Sequence, residues 1–579
     1  MTTPAAPRPL ISVVIPAHDV EPWIDELLES VLAQGGDELQ VIVVDDHSSD
    51  GTPARVAEFA RRDRRILHHV ADTRGAAAAR NAGTALATGT YLVFADADDL
   101  VPRGAYAALA DSLERTGSDF AIGDHLKFSP TSTWSPTARW HPFEEAVERA
   151  RPGDLPALVS GRAAWNRMFR RSFWDSLDLR FPEVARNDDI VPTTRAFLGA
   201  TAIDVVPECV YLYRDRPGST SMTAGTPPAE AARLYFEQEL LATRLVTAFD
   251  DPAVTEQYSA LVFDADGWVH LSGYLGSLES GESADPEVLA AFAALLAEAP
   301  RVAVERATAD RRALIALAEA GRIEEARSLA VAAASARVAR SFDAAGLVAW
   351  ARAFEALDAD GGGLDLVALL REGPLTALAN DAALVSADEL GPVVAALAGA
   401  PSVATADTEA WESAILRWML AAVRSGDPAA VRRVSLVRRG LPLVVDTVDV
   451  SPASLELSGP LPWPEALDGA VLLLRSEAGT AEPSLSASPT GDRWRASVAA
   501  AELPAPGRYS ALVRFSAGPS VQPQDHEVVT ARMPLPPIPD GSLLQPLSDR
   551  ARGWVFLVDH RAPAARGLLG KVASRLRRG

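Results

Sequence analysis

Short apolar runs rich in β-branched residues alternate with amphipathic segments from residue 10 to about 224. The runs at 11–15, 41–44, 66–70 and 91–95 are mostly apolar on both faces, as strands are when helices cover both sides of their sheet. This alternation predicts an α/β domain with a mainly parallel sheet. Ligands of such sheets bind at the carboxyl ends of the strands, so the loops after these runs are expected to carry the chemistry.

Two further regions follow in the chain. After about residue 226 the strand signals fade, and Trp411, Ile415 and Trp418 recur at helical spacing, which predicts an all-α domain. Beyond 441, alternating segments and a turn before Tyr509 predict a small immunoglobulin-like β-sandwich. The predicted parts are a catalytic domain at 1–225, a helical domain at 226–440, a sandwich at 441–535, and a linker with a basic amphipathic tail at 536–579.

Composition restricts the partners and the compartment. The net charge is −22, and an acidic surface argues against nucleic acid, which needs clustered cations. The single cysteine, Cys209, cannot form an internal disulfide, so a reducing compartment is favoured. The sequence shows no signal peptide and no run of about 18 apolar residues that could cross a bilayer. We therefore expect a cytoplasmic protein.

The C-terminal tail suggests contact with a membrane surface. One helical face carries Leu568, Leu569, Val572 and Leu576, while Lys571, Arg575 and Arg578 lie on the other. A helix that lies in a membrane interface has this pattern. The alternative is a frayed terminus, because short helices at chain ends are marginal in water. The tail thus predicts peripheral contact with the inner face of the membrane.

Acidic residues follow the first two strands. The first strand runs into Pro16 and His18, and the second ends in Asp45 and Asp46. Carboxylates at strand ends accept hydrogen bonds from nucleobase N–H groups or ribose hydroxyls in nucleotide crevices. The alternative is that these acids only cap the next helix or form a turn. Their place in a series of such motifs favours nucleotide binding.

A glycine-opened stretch comes next, with Gly75 followed by alanines and then Arg80 and Asn81. Small residues let a backbone approach a ligand closely, and Arg80 and Asn81 would add polar contacts. Taken alone, the segment favours a plain alanine-rich helix with an exposed arginine, but its place in the series of motifs favours a ligand contact.

The fourth strand ends in Asp96 and Asp98. Carboxylates spaced two apart at a strand end can share a hard divalent cation that also binds diphosphate oxygens. Two other Asp-x-Asp triplets occur, at 264–266 and 358–360. They lie in helical or glycine-rich surroundings, so we expect them to be solvated.

This series of motifs resembles the family 2 glycosyltransferases, which have the GT-A nucleotide-sugar fold, over roughly residues 10–222. The resemblance implies that Pro16, His18, Asp45 and Asp46 line a uridine site and that Arg80 and Asn81 stand near the donor. It also implies a divalent metal, Mn²⁺ or Mg²⁺, on Asp98, with Asp96 on the metal or on the ribose.

Three later segments extend the resemblance. Trp165, Asn166 and Arg167 resemble the acceptor segment of the family, and Asp188 and Asp189 resemble its Glu-Asp base motif with Asp in place of Glu. Asp189 would be the catalytic base, and the shorter Asp188 leaves its supporting role open. The alternative is an acidic pair that caps a helix. The segment with Arg214, Arg216 and Ser219 resembles a family segment that would hold the diphosphate, unless these arginines form structural ion pairs.

The resemblance implies an inverting single displacement from a UDP-sugar to a hydroxyl group. The order of the predicted domains resembles bacterial transferases that decorate wall teichoic acid, which implies a glycan or polyol-phosphate polymer as acceptor. An exopolysaccharide or capsule transferase, and a non-catalytic glycan-binding or assembly protein that forms oligomers through its C-terminal domains, stay open. A hydrolase is disfavoured because it needs no diphosphate machinery.

Overall fold

The computed structural model describes residues 11–136, 143–216, 226–361 and 363–438, together with separate segments between 444 and 558. The chain divides into two compact units, Met1–Arg327 and Ser328–Gly579. The first unit contains the predicted α/β region and also the first helices after it. The predicted domain boundaries at 225 and 440 stay predictions.

A nine-stranded sheet forms the centre of the first unit, in the order β3-β2-β1-β4-β8-β5-β9-β7 with β6 paired to β5. Strands β1 to β4 run parallel, whereas β8 lies antiparallel between β4 and β5. The prediction of a mainly parallel sheet is therefore right for β1 to β4 and wrong beyond, where the sheet is mixed. The strands are β1 Ile11–Ala17, β2 Leu39–Asp45, β3 Ile66–Val70, β4 Tyr91–Phe94, β5 Phe120–Ser129, β6 Ser132–Trp134, β7 Val147–Ala150, β8 Arg167–Arg170 and β9 Ile203–Arg214.

Helices cover both faces of this sheet. One face packs Val13, Val41 and Ile24 into a core without solvent exposure. On the other face, a Cβ atom added to Gly83 of α3 would lie 2.5 Å from Val14, so α3 approaches β1 as closely as its backbone allows. The helices of the first unit, including those that follow the sheet in the chain, are α1 Ile24–Leu32, α2 Thr52–Arg62, α3 Ala76–Leu86, α4 Ala105–Thr116, α5 Arg171–Ser176, α6 Ile190–Gly199, α7 Pro228–Phe249, α8 Pro252–Asp264, α9 Asp266–Ser277, α10 Pro286–Glu298 and α11 Ala309–Glu319, after which comes α12 Ile323–Ala339.

The second unit begins with helices, as the apolar periodicity predicts. Ile415 and Trp418 lie in one helix, α18, as their spacing predicts. Trp411 lies before that helix, because Ser413 is its N-cap residue and accepts a hydrogen bond from the Leu416 N–H group. Asp358 is not solvated as predicted, since it is buried and accepts a hydrogen bond from the Ser402 N–H group at 3.0 Å. The helices are α13 Ala344–Asp360, α14 Leu366–Glu372, α15 Pro374–Asp381, α16 Ala387–Gly399, α17 Pro401–Thr405, α18 Ala414–Ser425 and α19 Pro428–Arg438.

Sheets form the rest of the second unit, in the orders β11-β12-β16-β15 and β14-β13-β17-β21-β20, with β18 on β17 and a short β10-β19 pair. Leu457 and Trp494 of the first sheet share a core with Leu474 and Tyr509 of the second. The strands are β10 Val444–Val445, β11 Thr447–Val450, β12 Ser454–Pro460, β13 Ala470–Ser476, β14 Gly479–Ala481, β15 Leu485–Ala487, β16 Arg493–Ala499, β17 Gly507–Phe515, β18 Gln524–Glu527, β19 Val529–Thr530, β20 Leu544–Asp549 and β21 Gly553–Val558.

The β region does not end at residue 535 as predicted, because β21 pairs with β17. The proline-rich stretch before β20 has the composition of a linker, but the chain returns to the sheet after it. The predicted tail lies outside the described residues. None of the helices in the described part of the chain is both long enough and apolar enough to cross a membrane.

Candidate functional site

The carboxyl ends of β1 and β2 form the first wall of the site. Pro16 and Ala17 pair in register with Val44 and Asp45, and His18 Nδ1 lies 2.7 Å from the carbonyl oxygen of Asp46. These contacts hold the two strand ends side by side. The predicted uridine residues therefore share one edge of the sheet.

Asp45 and Asp46 are only 3% and 6% exposed. Asp46 Oδ2 accepts a hydrogen bond from the Gly75 N–H group at 2.8 Å, and Asp45 Oδ2 accepts one from Ser48 at 3.4 Å. The Oδ1 atom of each carboxylate is buried without a partner in the described part of the chain. Neither aspartate caps α2, whose N-cap is Gly51. A buried acceptor without a partner is costly, so these oxygens fit a ligand that donates hydrogen bonds.

Arg80 of α3 connects two acidic positions that are far apart in the chain. Its Nη2 donates to Asp96 Oδ1 at 2.7 Å and its Nη1 to Asp188 Oδ2 at 2.5 Å, while the guanidinium lies over the Phe181 ring. Burial alone would lower the pKa of Arg80, but the charges of Asp188 and Asp96 raise it above its ordinary value. Arg80 is thus not the exposed arginine of a plain helix. It is the link between the end of β4 and the start of α6.

Asn81 of α3 forms two hydrogen bonds with the backbone of Phe181. Its amide Nδ2 donates to the Phe181 carbonyl oxygen at 2.8 Å, and its Oδ1 accepts from the Phe181 N–H group at 3.0 Å. Both polar atoms hold the backbone that leads to Asp188. A contact between Asn81 and the donor stays a prediction.

The acids after β4 are surrounded by basic groups from the end of β9. Arg216 Nε donates to Asp98 Oδ2 at 2.5 Å, and Arg214 Nε donates to the Asp98 carbonyl oxygen at 2.6 Å. The buried Asp99 accepts a hydrogen bond from the Arg214 N–H group at 2.7 Å. Burial raises the pKa of Asp98 against the opposing effect of Arg216, and burial with the charge of Asp98 raises the pKa of Asp99.

Arg214 and Arg216 form the ion pairs that were the alternative to diphosphate binding. Arg214 Nη2 donates to Glu26 Oε2 at 2.6 Å, and Arg216 stacks on the Trp23 ring, 4.1 Å from its centroid. In this arrangement both arginines lie beside the Asp-x-Asp acids. Ser219, the third predicted residue, lies outside the described residues.

Asp96 and Asp98 offer the hard oxygen ligands that a divalent ion prefers. Among the described residues, no group of three His, Cys, Asp or Glu side chains is placed to hold a metal ion. Within this part of the chain, Asp96 and Asp98 thus offer a carboxylate pair rather than a full cage. Such a pair fits Mg²⁺ or Mn²⁺, because these ions commonly complete their coordination with phosphate oxygens and water.

Asp189 lies at the start of α6 but does not cap it. It occupies the N-cap position without accepting a side-chain capping hydrogen bond, and its neighbour Asp188 is buried against Arg80. The capping alternative is therefore excluded for both acids. Burial, with the charge of Asp188, raises the pKa of Asp189 to about 7, and the cations of Arg80 and Arg162 oppose this rise. A carboxylate with this pKa suits proton transfer near neutral pH.

Aromatic side chains line the predicted acceptor side. The half-buried Trp165 stacks on Tyr211 with ring centroids 4.3 Å apart and also contacts Tyr213 and His125. The Tyr211 hydroxyl accepts a hydrogen bond from the Asp96 N–H group at 2.9 Å. Trp165 is thereby linked through Tyr211 to the backbone of Asp96.

The other two predicted acceptor residues are buried. Asn166 Nδ2 donates to the Gly123 carbonyl oxygen at 2.9 Å, and Arg167 donates to the carbonyl oxygens of Ala163 and Gly161. Burial lowers the pKa of Arg167 to about 10. These contacts shape the loop beneath Trp165, and direct contact of Asn166 or Arg167 with an acceptor stays a prediction.

Several residues of the site could not be, or were not, identified from the sequence alone. Tyr211 and Tyr213 alternate along β9, and this spacing of two could have placed them on one face. Asp99 directly follows the Asp-x-Asp motif. Trp23 and Arg162 carry no local signal, because their partners are distant in the chain.

The mixed α/β sheet, with acids at the ends of β2 and β4 and at the start of α6, is typical of a GT-A-like domain. Residues 12–177 match the model of glycosyl transferase family 2. The chain therefore carries a family 2 glycosyltransferase domain.

Two curated bacterial relatives match the same part of the chain. The uncharacterised glycosyltransferase EpsJ of Bacillus subtilis is 29% identical over 218 residues, which cover 36% of this chain and 62% of EpsJ. The succinoglycan biosynthesis protein ExoO of Rhizobium meliloti is 31% identical over 234 residues, which cover 38% of this chain and 65% of ExoO. The chain thus spans less than two thirds of the length of each.

A solved structure is similar over a longer stretch. Residues 1–349 of S. aureus TarS, crystallised with UDP-GlcNAc, match with 21% identity and a TM-score of 0.47 over 58% of this chain and 93% of that one. The longer TarS structure matches 95% of this chain with 15% identity and a TM-score of 0.46.

Proposed function

We propose that the protein is a metal-dependent inverting glycosyltransferase that moves a sugar from a UDP-sugar to a hydroxyl group of a cell-envelope polymer such as teichoic acid. One observation carries this proposal. Asp189, whose carboxylate does not cap α6, has a pKa raised to about 7. Its neighbour Asp188 forms an ion pair with Arg80, and Arg80 also pairs with Asp96 after β4. We therefore assign the base for the acceptor and the acids for the donor to one site.

The donor would bind across the ends of β1, β2 and β4. The buried Oδ1 atoms of Asp45 and Asp46 would accept hydrogen bonds from the uracil N–H group and a ribose hydroxyl. Pro16 and His18 would line the same crevice. Asp98 and Asp96 would hold the divalent ion, which neutralises the charge of the departing diphosphate when bound.

Asp189 would accept the proton of the attacking hydroxyl while that oxygen displaces the diphosphate from the anomeric carbon. Arg214 and Arg216 would stabilise the negative charge that develops on the leaving group. One displacement inverts the anomeric configuration and needs no covalent sugar intermediate. Asp188 would position the base through Arg80.

The half-buried Trp165 is the aromatic surface against which an acceptor sugar or polyol would pack. The name of ExoO supports a polysaccharide acceptor, so an exopolysaccharide or capsule transferase is the second candidate. A non-catalytic glycan-binding protein is less well supported, because it would not need a base with a raised pKa. The C-terminal sheets, which we propose to be an immunoglobulin-like sandwich, would bind the polymer or mediate assembly.

A screen of nucleotide sugars tests the proposal. Release of UDP is measured with Mn²⁺, with Mg²⁺ and with EDTA, in the presence of a polyol-phosphate polymer or a neutral polysaccharide. We expect one UDP-sugar to give metal-dependent transfer, and the preferred polymer separates the two acceptor classes. The exposed Asp111 on α4 provides a control, Asp111→Asn, for Asp189→Asn. The absence of transfer with every donor, or equal transfer by both variants, would reject the proposal.

A further inference from the structure

A second buried charge network lies next to the base. Arg162 precedes β8, and its side chain is 7% exposed. Its Nη1 donates to Glu239 of α7, and its Nη2 donates to Asp266 Oδ2 of α9 at 2.9 Å. Glu239 is fully buried and also accepts a hydrogen bond from the Tyr258 hydroxyl of α8 at 2.7 Å. One arginine thus joins the loop before β8 to three helices that follow the sheet.

The backbone of Arg162 reaches the base through one side chain. Its carbonyl oxygen accepts a hydrogen bond from Thr193 Oγ1 at 2.9 Å, and the same hydroxyl lies 2.6 Å from the Asp189 carbonyl oxygen. The Thr193 N–H group donates to that Asp189 carbonyl as well. Thr193 therefore connects the first turn of α6 and its N-cap residue Asp189 to the backbone of Arg162.

Fold stability alone does not account for this network. Burying an arginine and a glutamate costs solvation that their attraction only partly offsets, and apolar residues of similar size often stabilise a fold as well or better. Asp266, predicted from sequence to be solvated, is 49% exposed and pairs with the same guanidinium. A function for the charge itself would account for the placement of these residues.

We propose that Arg162 is a positioning residue for Asp189, which it holds in place through Thr193 and to whose carboxylate it presents a buried positive charge. The proposal rests on the proposed function, in which Asp189 is the base. It extends the catalytic machinery to α7 and α9, beyond the domain end predicted at residue 225.

The charges around Asp189 determine the direction in which its pKa should change when Arg162 is replaced. Asp188 and Asp96 disfavour its ionised form, whereas Arg80 of α3 and Arg162 favour it. The charge of Asp189 in turn acts on Arg167 of β8. Loss of the Arg162 cation should raise the pKa of the base and leave less of it ionised at neutral pH.

The pH dependence of kcat tests the electrostatic role. We expect Arg162→Gln to move the acidic limb upward by about one pH unit, with activity recovering at high pH, and Arg162→Lys to keep the limb near its normal position. A uniform loss of activity at all pH values, without a shift of the limb, would mean a merely structural role and overturn the proposal.

Two further variants keep the kinetic test decisive. Asp266→Asn removes a half-exposed counter-charge and should move the limb downward, opposite to Arg162→Gln, so it serves if the latter does not fold. Arg65 is also ion-paired, with Asp63, and its side chain is 18% exposed, but it precedes β3, an edge strand that β2, β1 and β4 separate from β8. Arg65→Gln should leave the limb unchanged. An unmoved limb in Asp266→Asn would contradict the proposal.

A measurement without turnover separates this proposal from the proposed function. Thermal unfolding at pH 8 is compared for Arg162→Gln, Asp189→Asn and the double variant. If the two side chains interact, Asp189→Asn should raise Tm more in the Arg162→Gln background than in the wild type. Additive changes in Tm would overturn the proposal even in an active enzyme. Non-additive changes would support the proposal even if no donor were transferred.

Discussion

Asp189→Asn should make the protein inactive and, above neutral pH, more stable. The pKa of Asp189 is raised from 3.8 to about 7 in the folded chain. Below pH 3.8 the carboxyl is protonated in the folded and unfolded states, so its titration contributes no difference. As the pH rises from 4 to 7, the unfolded chain releases this proton first, and the folded state loses stability relative to it.

The size of the pKa shift sets an upper limit on the stability that Asp189→Asn can gain. A difference of about three pKa units corresponds to about 4 kcal/mol. The carboxylate is partly exposed and shares its surroundings with Asp188, so we expect a gain of about 1 to 2 kcal/mol in the free energy of unfolding, or about 2 to 3 °C in Tm. Transfer should fall by roughly two to four decades, because the base is lost.

Two assays on the same protein check this prediction. Thermal unfolding at pH 8 and at pH 4 should show a gain in Tm for Asp189→Asn only at the higher pH, and calorimetry should show nearly unchanged nucleotide binding. Asp111→Asn, which changes an exposed helical residue, should alter neither. A Tm equal to that of the wild type at pH 8 would refute the electrostatic argument, and near-normal turnover would refute the assignment of the base.

The remaining predictions concern the metal pair, the packing of α3 and the tail. Asp98→Ala should abolish metal-dependent binding of the donor in calorimetry because a hard ligand is lost, whereas Asp111→Ala should leave it intact. Gly83→Ala should lower Tm, since its Cβ would lie 2.5 Å from Val14 and overpacking costs about 1 to 3 kcal/mol, whereas Gly273→Ala, with open space around it, should not. Deletion of residues 567–579 should reduce binding to anionic liposomes in a sedimentation assay, with turnover on a small acceptor unchanged. Equal results for a variant and its control, or unchanged liposome binding, would contradict the corresponding prediction.

The acids at the ends of β2 and β4 could be predicted because parallel strands bring their carboxyl ends to one edge of a sheet. Apolar periodicity is a local property, and it is sufficient to place Asp45 and Asp96. It does not report the neighbours of a strand in the sheet. The position of β8, antiparallel between β4 and β5, therefore could not be predicted, and the sheet was expected to be more parallel than it is.

The partners of the charged residues could not be predicted for a related reason. Arg80 and Asp188 are 108 positions apart, and Arg162 and Glu239 are 77 apart. An arginine in an alanine-rich helix is predicted to be exposed, because the local sequence does not show which distant carboxylates will contact it in the fold. Asn166 likewise matches an acceptor motif, although its amide binds the backbone of β5. Motifs predict which residues belong to the site, whereas the fold decides which of them face the ligand.

The excess of acidic groups in the site is an argument for metal dependence that does not rely on the resemblance to a family. The acids that end β2, β4 and the loop before α6 outnumber the guanidinium groups that face them, and burial keeps the pKa values of Asp98 and Asp99 raised. A diphosphate would add further negative charge to this region. Arg214 and Arg216 already form ion pairs with Glu26 and Asp98. Binding of the diphosphate by these arginines would therefore weaken the two ion pairs. A divalent cation on the carboxylate pair would offset the excess. Loss of Asp98 should therefore weaken donor binding while it relieves repulsion in the free protein, so affinity and stability are expected to change in opposite directions.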